Sequence, residues 1–475
     1  MSDLTTEEII ANSVPGEATG AELAAIGLVR RIPGLGGLSN SRRVLKAFRG
    51  GSWTMAGYGA GQVLRLASTL VLARLVAPQA FGLVALVNVF LSGLESLSDL
   101  GIGMDVIQHR RGDDPVFINT AFIIQMVRGT IIWGVAAALA YPFAIFYHQP
   151  AVLALAIVGS LSTLIRGFSS GSIWTLTRHV RLKELTILNA GSDAFGLVVS
   201  VIWALISPTA WALVAGRVAV SLAFTVASHV IAEKRVSLDW DWKGAKEIFA
   251  FGTGIFVSTS TYFLAGEAER LVVGKFVNLI ELGCFSLALS LSTAGSRAIQ
   301  QVLGQVFFPM MSDSIRQDPE AAFRHYRKTR HLILIICACM SFGFIVGSHW
   351  LVHILLGQKY AETGWMLQLL GARAALDVFA GVTATMLFAA GTSRFAAIGN
   401  ISKLAFLGVG LTIAFGRYGF HGAMWVLAFA PLANYIPLLV GLRVKCAPVF
   451  RDELLSFAGF AAVTALGAIV YVAIR

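Results

Sequence analysis

The chain has 475 residues, of which 56% are apolar and 13% are charged, and its mean hydropathy is +0.74. Soluble domains carry about 25% charged residues, so this composition excludes a water-soluble enzyme and predicts a protein embedded in a bilayer. The net charge is +11, and the four cysteines have neither the spacing of a zinc site nor the pattern of a disulfide framework.

The first 50 residues are polar and lack a short apolar core that ends in a small-residue cleavage site. We therefore predict a cytoplasmic N-terminal tail over residues 1–50 and no cleaved signal peptide. Residues 21–31 leave two interpretations open, a flexible segment or an amphipathic helix that lies on the inner leaflet.

Thirteen apolar runs follow the tail, and each is close to the roughly 20 residues that cross a bilayer as a helix. The predicted spans are 52–73, 80–104, 117–141, 150–172, 186–206, 209–231, 248–273, 280–305, 332–356, 364–390, 395–416, 421–442 and 454–474. The predicted fold class is therefore an all-α polytopic membrane protein.

Lys and Arg residues are divided unequally between the two sides of these spans. With the N-terminus in the cytoplasm, 24 lie on the cytoplasmic side, 5 lie on the other side and 8 lie within spans. Because cytoplasmic loops carry an excess of Lys and Arg, the count predicts a multi-pass protein of the cytoplasmic (inner) membrane with a cytoplasmic N-terminus. Topology accounts for the basic charge, so nucleic acid is not a predicted partner.

Three segments recur in the same order later in the chain. The matched pairs are residues 70–86 with 271–287, Asp114-Pro115 with Asp318-Pro319, and residues 187–195 with 398–406. The first match sets Arg74 against Lys275 and Gly82 against Gly283.

The two copies begin at the first and the seventh span, so both enter the membrane in the same sense. Parallel repeats of this kind are related by an axis along the membrane normal, and transporters rock such halves about a site between them. We predict two six-helix lobes, residues 51–232 and 248–444, around a central cavity. A cytoplasmic linker over 233–247 joins them, and an additional span over 445–475 follows.

Two segments resemble a known family: LARLVAPQAFGLVALVNVFLSGLESLSDLGIGMDVIQHRRGDDP, which begins at Leu72, and FLAGEAERLVVGKFVNLIELGCFSLALSLS, which begins at Phe263. They are similar to the polysaccharide transporter (Wzx-type) flippases of the multidrug/oligosaccharidyl-lipid/polysaccharide exporter superfamily. The resemblance extends from about Gly51 to about Val444. Family members usually have twelve or fourteen spans, and Glu269 stands where the family often has Asp, which keeps the charge.

The resemblance implies that the chain moves a lipid-diphosphate-linked oligosaccharide from the inner to the outer leaflet, without a cofactor. Membrane lipid and the lipid-linked oligosaccharide are the implied partners, together with polysaccharide polymerase or export machinery.

Ionisable residues within spans cost about 2.5 to 3.5 kcal/mol each on insertion scales and usually face a protein interior or a wet cavity. Here cations outnumber acids, and arginine offers a planar fork that matches phosphate oxygens. The predicted substrate-binding residues are Arg65, Arg128, Arg166, Arg217, Arg270 and Arg297. The predicted ion-coupling residues are Asp193, Glu267 and Asp377.

Some of these charges have a structural alternative. Arg65 and Arg128 have no acid three or four residues away. They are therefore the first candidates for substrate contact, and the alternative is that each pairs with an acid on another helix. Arg373 and Asp377 are four residues apart, and this spacing predicts that they form an ion pair with a structural role. The charged tract from Arg324 to Arg330 is predicted to face the cytoplasm.

Three function classes follow from the sequence. A lipid-linked oligosaccharide flippase is first, and a cation-coupled exporter of drugs or metabolites is second. The third class is a membrane enzyme, which the short outer loops and the lack of a recognisable catalytic or nucleotide-binding motif disfavour. We therefore predict neither catalytic residues nor a metal site.

Overall fold

The computed structural model describes residues 42–232 and 237–474, and within them the chain is helical without β-strands. The two interpretations of residues 21–31 and the linker residues 233–236 lie outside the described residues. The prediction of an all-α polytopic membrane protein is confirmed.

Fifteen α-helices are present in the described part. The first eight are α1 (Arg42–Leu75), α2 (Pro78–Ser96), α3 (Ile102–Gln108), α4 (Pro115–Phe146), α5 (Ala151–Gly167), α6 (Ser172–Arg178), α7 (Leu182–Ile206) and α8 (Ala210–Val230). The others are α9 (Trp242–Phe276), α10 (Leu279–Val302), α11 (Phe308–Gln317), α12 (Pro319–Leu355), α13 (Thr363–Ala389), α14 (Arg394–Lys445) and α15 (Ala447–Ile474). A π-helical turn, Leu303–Phe307, joins α10 to α11.

Nine helical segments of the described chain are long and apolar enough to cross a membrane, and the bent pair α5 and α6 makes a tenth. Helix α14 has 52 residues and a non-helical backbone at Gly419, where φ is +62°, so it consists of two arms. Each of the thirteen predicted spans overlaps a described helix.

Several helices begin before the predicted spans. Helix α1 begins at Arg42, inside the predicted tail, and α9 begins at Trp242, inside the predicted linker. Hydropathy identifies only the apolar part of a helix. The helix itself continues through polar residues until a capping residue ends it. Asp241 supplies such a cap, since its side chain accepts from the backbone N–H of Lys243 at 2.9 Å.

The repeated Asp-Pro pairs begin matching helices. The Asp114 carboxylate accepts from the N–H of Val116 at 3.1 Å at the start of α4, and Asp318 accepts from the N–H of Glu320 at 3.0 Å at the start of α12. Proline suits the first turn because it has no N–H to satisfy there. The division into two six-helix lobes stays a prediction.

The two repeats touch at the end of the bundle where the connections Val76–Ala77, Tyr147–Pro150 and Val277–Asn278 are short, which we call the short-loop end. Helices α2 and α10 cross there without side chains between them. A Cβ on Gly82 would overlap the carbonyl oxygen of Leu279, and a Cβ on Gly283 would overlap that of Pro78. The glycines matched by the repeat thus occupy equivalent positions in one contact.

Reciprocal hydrogen bonds surround this crossing. Arg74, at the end of α1, donates to the carbonyls of Ile354 and Leu355 at the end of α12. Its repeat mate Lys275, at the end of α9, donates to the carbonyl of Phe146 at the end of α4. We call these contacts and the glycine crossing the clasp.

Two tyrosines extend the clasp in the same reciprocal way. The Tyr147 hydroxyl donates to the carbonyl of Leu271 at 3.0 Å, and the Tyr360 hydroxyl donates to the carbonyl of Val76 at 2.9 Å. Tyr147 follows α4 and reaches α9, and Tyr360 follows α12 and reaches the residue that follows α1. The clasp therefore holds the short-loop ends of both repeats together.

Replacing Gly283 by alanine is expected to separate the α2–α10 crossing, because the obstructing atom is a main-chain oxygen that cannot rotate away. We expect the free energy of unfolding to fall by about 1 to 3 kcal/mol, the usual cost of overpacking. Thermal unfolding of the purified protein in detergent measures this change. Gly61→Ala is the matched control, since nothing lies within 4 Å of a Cβ there. Equal midpoints for the two variants would contradict the assignment.

Helix α15 is fixed to the second half by a buried ion pair. Arg330 on α12 and Glu453 on α15 are both fully buried and in direct contact. The Glu453 carboxylate also accepts from Tyr326 at 2.8 Å, Thr383 at 2.7 Å and Tyr435 at 2.5 Å. The prediction that the tract ending at Arg330 faces the cytoplasm is wrong for Arg330, because α12 begins at Pro319 and carries this side chain into the core.

Candidate functional site

Two broken helices of the first half place polar backbone groups within the bundle. Helix α2 ends at Ser96 and α3 starts at Ile102, and α5 and α6 meet at an angle of 64°. The last carbonyls of a helix have no partners within it. In a bilayer such groups must be satisfied by other protein groups, and interrupted helices of this kind line the substrate sites of transporters.

Side chains of α4 satisfy both helix ends. Arg128 donates through Nε to the carbonyl of Ser98 at 2.7 Å and through Nη2 to that of Glu95 at 2.9 Å. Gln125, one turn away, donates to the carbonyl of Arg166 at 3.1 Å. Arg128 was predicted to contact substrate, and the structure shows that three of its hydrogen bonds already go to the end of α2 and to Ser98.

The side chain of Glu95 lies between arginines from three other helices. Its Oε1 accepts from the Thr163 hydroxyl at 2.5 Å and from Arg217 Nη2 at 3.3 Å. Arg217 also donates to Asn88 at 2.7 Å and to Ser162 at 3.1 Å. We call Arg128, Arg166 and Arg217 the arginine cluster.

A cavity of about 410 Å³ opens beside Glu95. Its lining includes Arg128 and Arg166 from the arginine cluster, Glu95 and Asp99 from α2 and the loop after it, and Thr259 from α9. The volume lies within the usual range for ligand pockets, about 300 to 1,000 Å³. The lining itself has two arginines and two carboxylates, and Arg217 beside it adds a third arginine. Asp193, which interacts with Arg166, is balanced by Arg65. The region therefore carries a surplus of one positive charge, which favours an anion.

Arg166 has the most available guanidinium of the cluster. It is exposed toward the cavity and lies over the Phe224 ring with 4.3 Å between Cζ and the ring centroid. Within the described residues its guanidinium donates no hydrogen bond, whereas Arg128 and Arg217 are both engaged. Arg166 is therefore the member best placed to bind an incoming anion.

The remaining predicted residues lie elsewhere. Arg65 is exposed on α1 and interacts electrostatically with Asp193 on α7, which also interacts with Arg166. Arg297 is exposed on α10. Arg270 pairs with Glu267 at 2.6 Å on α9, so these two predicted residues neutralise each other. The structure thus brings Arg128, Arg166 and Arg217 together and leaves Arg270 and Arg297 outside this cavity lining.

A second set of charges lies in the other half, where Arg373 and Glu269 are buried and Asp377 and Lys403 are half-buried. Arg373 contacts Glu269 at 2.7 Å and Asp377 at 3.7 Å, and Lys403 contacts Asp377 at 3.1 Å. The predicted pair of Arg373 and Asp377 is present, and Glu269 is the nearer partner of the arginine. These contacts tie α9, α13 and α14 together. The assignment of Asp193, Glu267 and Asp377 to ion coupling stays a prediction.

At the end of the bundle opposite the clasp, Arg111 joins the first half to the start of α9. It contacts Asp114 at 2.8 Å and Asp241 at 2.7 Å. Its hydrogen bonds hold the pKa of both carboxyl groups below the usual range, so both stay ionised at neutral pH. Because Asp241 caps α9, this contact fixes the helix that supplies Thr259 to the cavity.

Glu95, Thr163 and Asn88 were absent from the residues predicted for the site, whereas Arg217, which pairs with Glu95, was among them. The sequence places an acid inside a span at this position, which is a signal for a functional role. Thr163 and Asn88 gave no such signal, since neutral polar residues are frequent in spans and their role depends on which helices meet.

Comparison with known proteins gives matches at three levels. The sequence model of one family, described as "Polysaccharide biosynthesis protein", matches residues 71–364, more than half of the chain. A relative from Rhizobium meliloti (strain 1021), "Succinoglycan biosynthesis transport protein ExoT", is 20% identical over 312 residues. That match covers 65% of this chain and 62% of the relative, which is less than two thirds of its length.

Two solved structures share the fold. "Lipid II flippase MurJ, inward closed conformation" superposes with a TM-score of 0.64 at 10% identity and covers 88% of this chain and 97% of that one. A multidrug resistance MATE family transporter in the inward-facing conformation gives a TM-score of 0.55 at 15% identity, with 85% and 96% covered.

Proposed function

Because this chain belongs to the polysaccharide biosynthesis protein family, we propose that it is a flippase that moves a polyprenyl-diphosphate-linked oligosaccharide from the cytoplasmic to the outer leaflet. The product would serve the biosynthesis or export of a polysaccharide, with polymerase and export proteins acting after it. Transport would need no cofactor.

The arginine cluster beside the cavity carries this proposal. A lipid diphosphate presents several anionic oxygens, and guanidinium groups bind such oxygens in pairs through charge-assisted hydrogen bonds. Arg166 has donors available, and Arg217 and Arg128 lie on two further helices around the same carboxylate. This chemistry favours a diphosphate over a cationic drug, because the positive surplus repels a cation.

We place the N-terminus in the cytoplasm, in accord with the excess of Lys and Arg on that side. The clasp then closes the outer side of the molecule. Substrate would enter the cavity from the cytoplasmic side, and the two lobes, residues 51–232 and 248–444, would rock to break the clasp and open the cavity outward. The headgroup would cross in the cavity while the lipid tail stays in the bilayer.

Reconstitution tests this function. Purified protein in liposomes should move a fluorescent polyprenyl-diphosphate oligosaccharide between leaflets. Chemical reduction of the fluorophore, or enzymatic capture of the headgroup, measures the fraction in the outer leaflet. Protein-free liposomes are the control. The same vesicles loaded with a cationic drug report on the exporter alternative. Drug efflux under a proton or sodium gradient without lipid transfer would overturn the flippase assignment.

A further inference from the structure

Glu95 is the acid that directly pairs with the arginine cluster in the described part of the cavity. Its side chain is 39% exposed, and its Oε1 accepts from both Thr163 and Arg217. A carboxylate in this position neutralises part of the charge that would otherwise bind a phosphate group. The site thus holds an anion of its own.

Glu95 contacts Nη2 of Arg217, so a diphosphate that binds this nitrogen must compete with the carboxylate. The other Arg217 contacts go to the neutral side chains of Asn88 and Ser162, so the carboxylate is the partner that an anionic ligand would replace. After replacement, Glu95 would lie beside two phosphate charges in a cavity within the bilayer. Repulsion between like charges, together with the cost of an unpaired charge in such surroundings, favours the neutral acid there.

We propose that Glu95 is an exchangeable counter-anion, which the substrate diphosphate displaces from Arg217 and which binds one proton as it is displaced. This inference rests on the proposed function and adds its regulation by protons. The Arg217–Glu95 ion pair breaks, an Arg217–phosphate ion pair forms, and the proton comes from the buffered solution through the cavity. When the diphosphate leaves, Glu95 returns the proton and pairs again with Arg217.

The charged groups that face Glu95 come from several helices. They are Arg128 of α4, Arg166 of α5, Arg217 of α8 and Asp99 after α2. Asp193 of α7 also interacts with Arg166. Helix α9 contributes the neutral Thr259. The described lining of the cavity contains no histidine, so a proton taken up near neutral pH must go to a carboxylate.

The ligand itself does not titrate in the relevant range. In a diphosphate esterified at both ends, each phosphate keeps one strongly acidic group, so its charge is constant between pH 5 and pH 8. Any pH dependence of its binding therefore belongs to the protein. Uptake of one proton per ligand makes the affinity rise as the pH falls, by at most about tenfold per pH unit.

The test is binding of citronellyl-diphospho-N-acetylglucosamine, a soluble short-chain probe, to the full chain in nanodiscs at pH 5.5 and pH 7.5. Calorimetry in buffers of different ionisation enthalpy counts the protons taken up. We expect the wild type to bind at least about tenfold more tightly at the lower pH. Glu95→Gln should bind tightly at both pH values, with less than about threefold change and no proton uptake.

Asp193→Asn tests the rival assignment of the proton, because Asp193 is a predicted ion-coupling residue that interacts with Arg166 but does not pair with Arg217. It should keep the pH dependence of the wild type.

The outcomes separate this inference from the function on which it rests. Wild-type pH dependence in Glu95→Gln, or its loss in Asp193→Asn alone, would overturn the role of Glu95 while leaving the flippase assignment intact. Failure of the wild type to bind the probe at either pH would count against both.

Discussion

Alanine in place of Glu453 is expected to lower the free energy of unfolding by about 3 to 5 kcal/mol, because Arg330 would remain as a buried charge without its counter-ion. Tyr326, Thr383 and Tyr435 would lose their acceptor at the same time. The thermal unfolding midpoint of the purified protein and the yield of monodisperse protein from membranes both measure this loss.

The neighbouring residue supplies the control for that experiment. Asp452 pairs with Arg327 at 2.6 Å at the surface, where both side chains are partly exposed. Surface pairs contribute only about 0 to 1 kcal/mol, so Asp452→Ala should change the midpoint little. A double variant, Arg330→Met with Glu453→Leu, should be more stable than either single change, since replacing a whole buried pair is often neutral. Equal effects at positions 452 and 453 would refute the buried network.

Arg166→Gln is expected to reduce the rate of lipid-linked oligosaccharide transfer by roughly 10- to 100-fold. The substitution keeps a polar side chain beside Phe224 but removes a charge-assisted contact, which contributes about 1.5 to 3 kcal/mol. Arg166→Lys should retain part of the activity, because it keeps the charge but loses the planar fork. Transfer in liposomes at matched protein density gives the rates.

Arg316→Gln is the control for this series, since Arg316 is 76% exposed and lies at the end of α11. Its transfer rate should equal that of the wild type. Unchanged transfer by a well-folded Arg166→Gln protein would show that Arg166 is not part of the substrate site. Arg65, the exposed cation on α1, would then be the next candidate.

Hydropathy and the repeat predicted the helices well. An apolar run in a bilayer must satisfy its backbone hydrogen bonds internally, and a helix does so. The Asp-Pro pairs that begin α4 and α12 and the glycines at the α2–α10 crossing were visible as matched positions. Their local roles follow from residue type, since proline suits a helix start and glycine permits close approach.

The partners of the charged residues could not be read from the sequence in the same way. Arg330 and Glu453 precede the predicted apolar runs by only a residue or two. The sequence predicted a cytoplasmic position for Arg330 and no role for Glu453, although the helices continue and bury the two side chains together. Arg128 was predicted to contact substrate, but it donates hydrogen bonds to carbonyls at the end of α2, inside the bundle. Such assignments depend on which helices become neighbours, and spacing along one helix does not contain that information.

The clasp accepts its hydrogen bonds almost wholly on main-chain carbonyls. Every residue supplies such an oxygen, so the accepting helix ends do not require particular side chains. Particular residue types are required only at Arg74, Lys275, the two tyrosines, Gly82 and Gly283. An interface built this way tolerates sequence drift in either half as long as those few positions persist. A hybrid that joins the first half of this chain to the second half of a relative should therefore keep these contacts if that half carries a basic residue, a tyrosine and a glycine at the positions of Lys275, Tyr360 and Gly283.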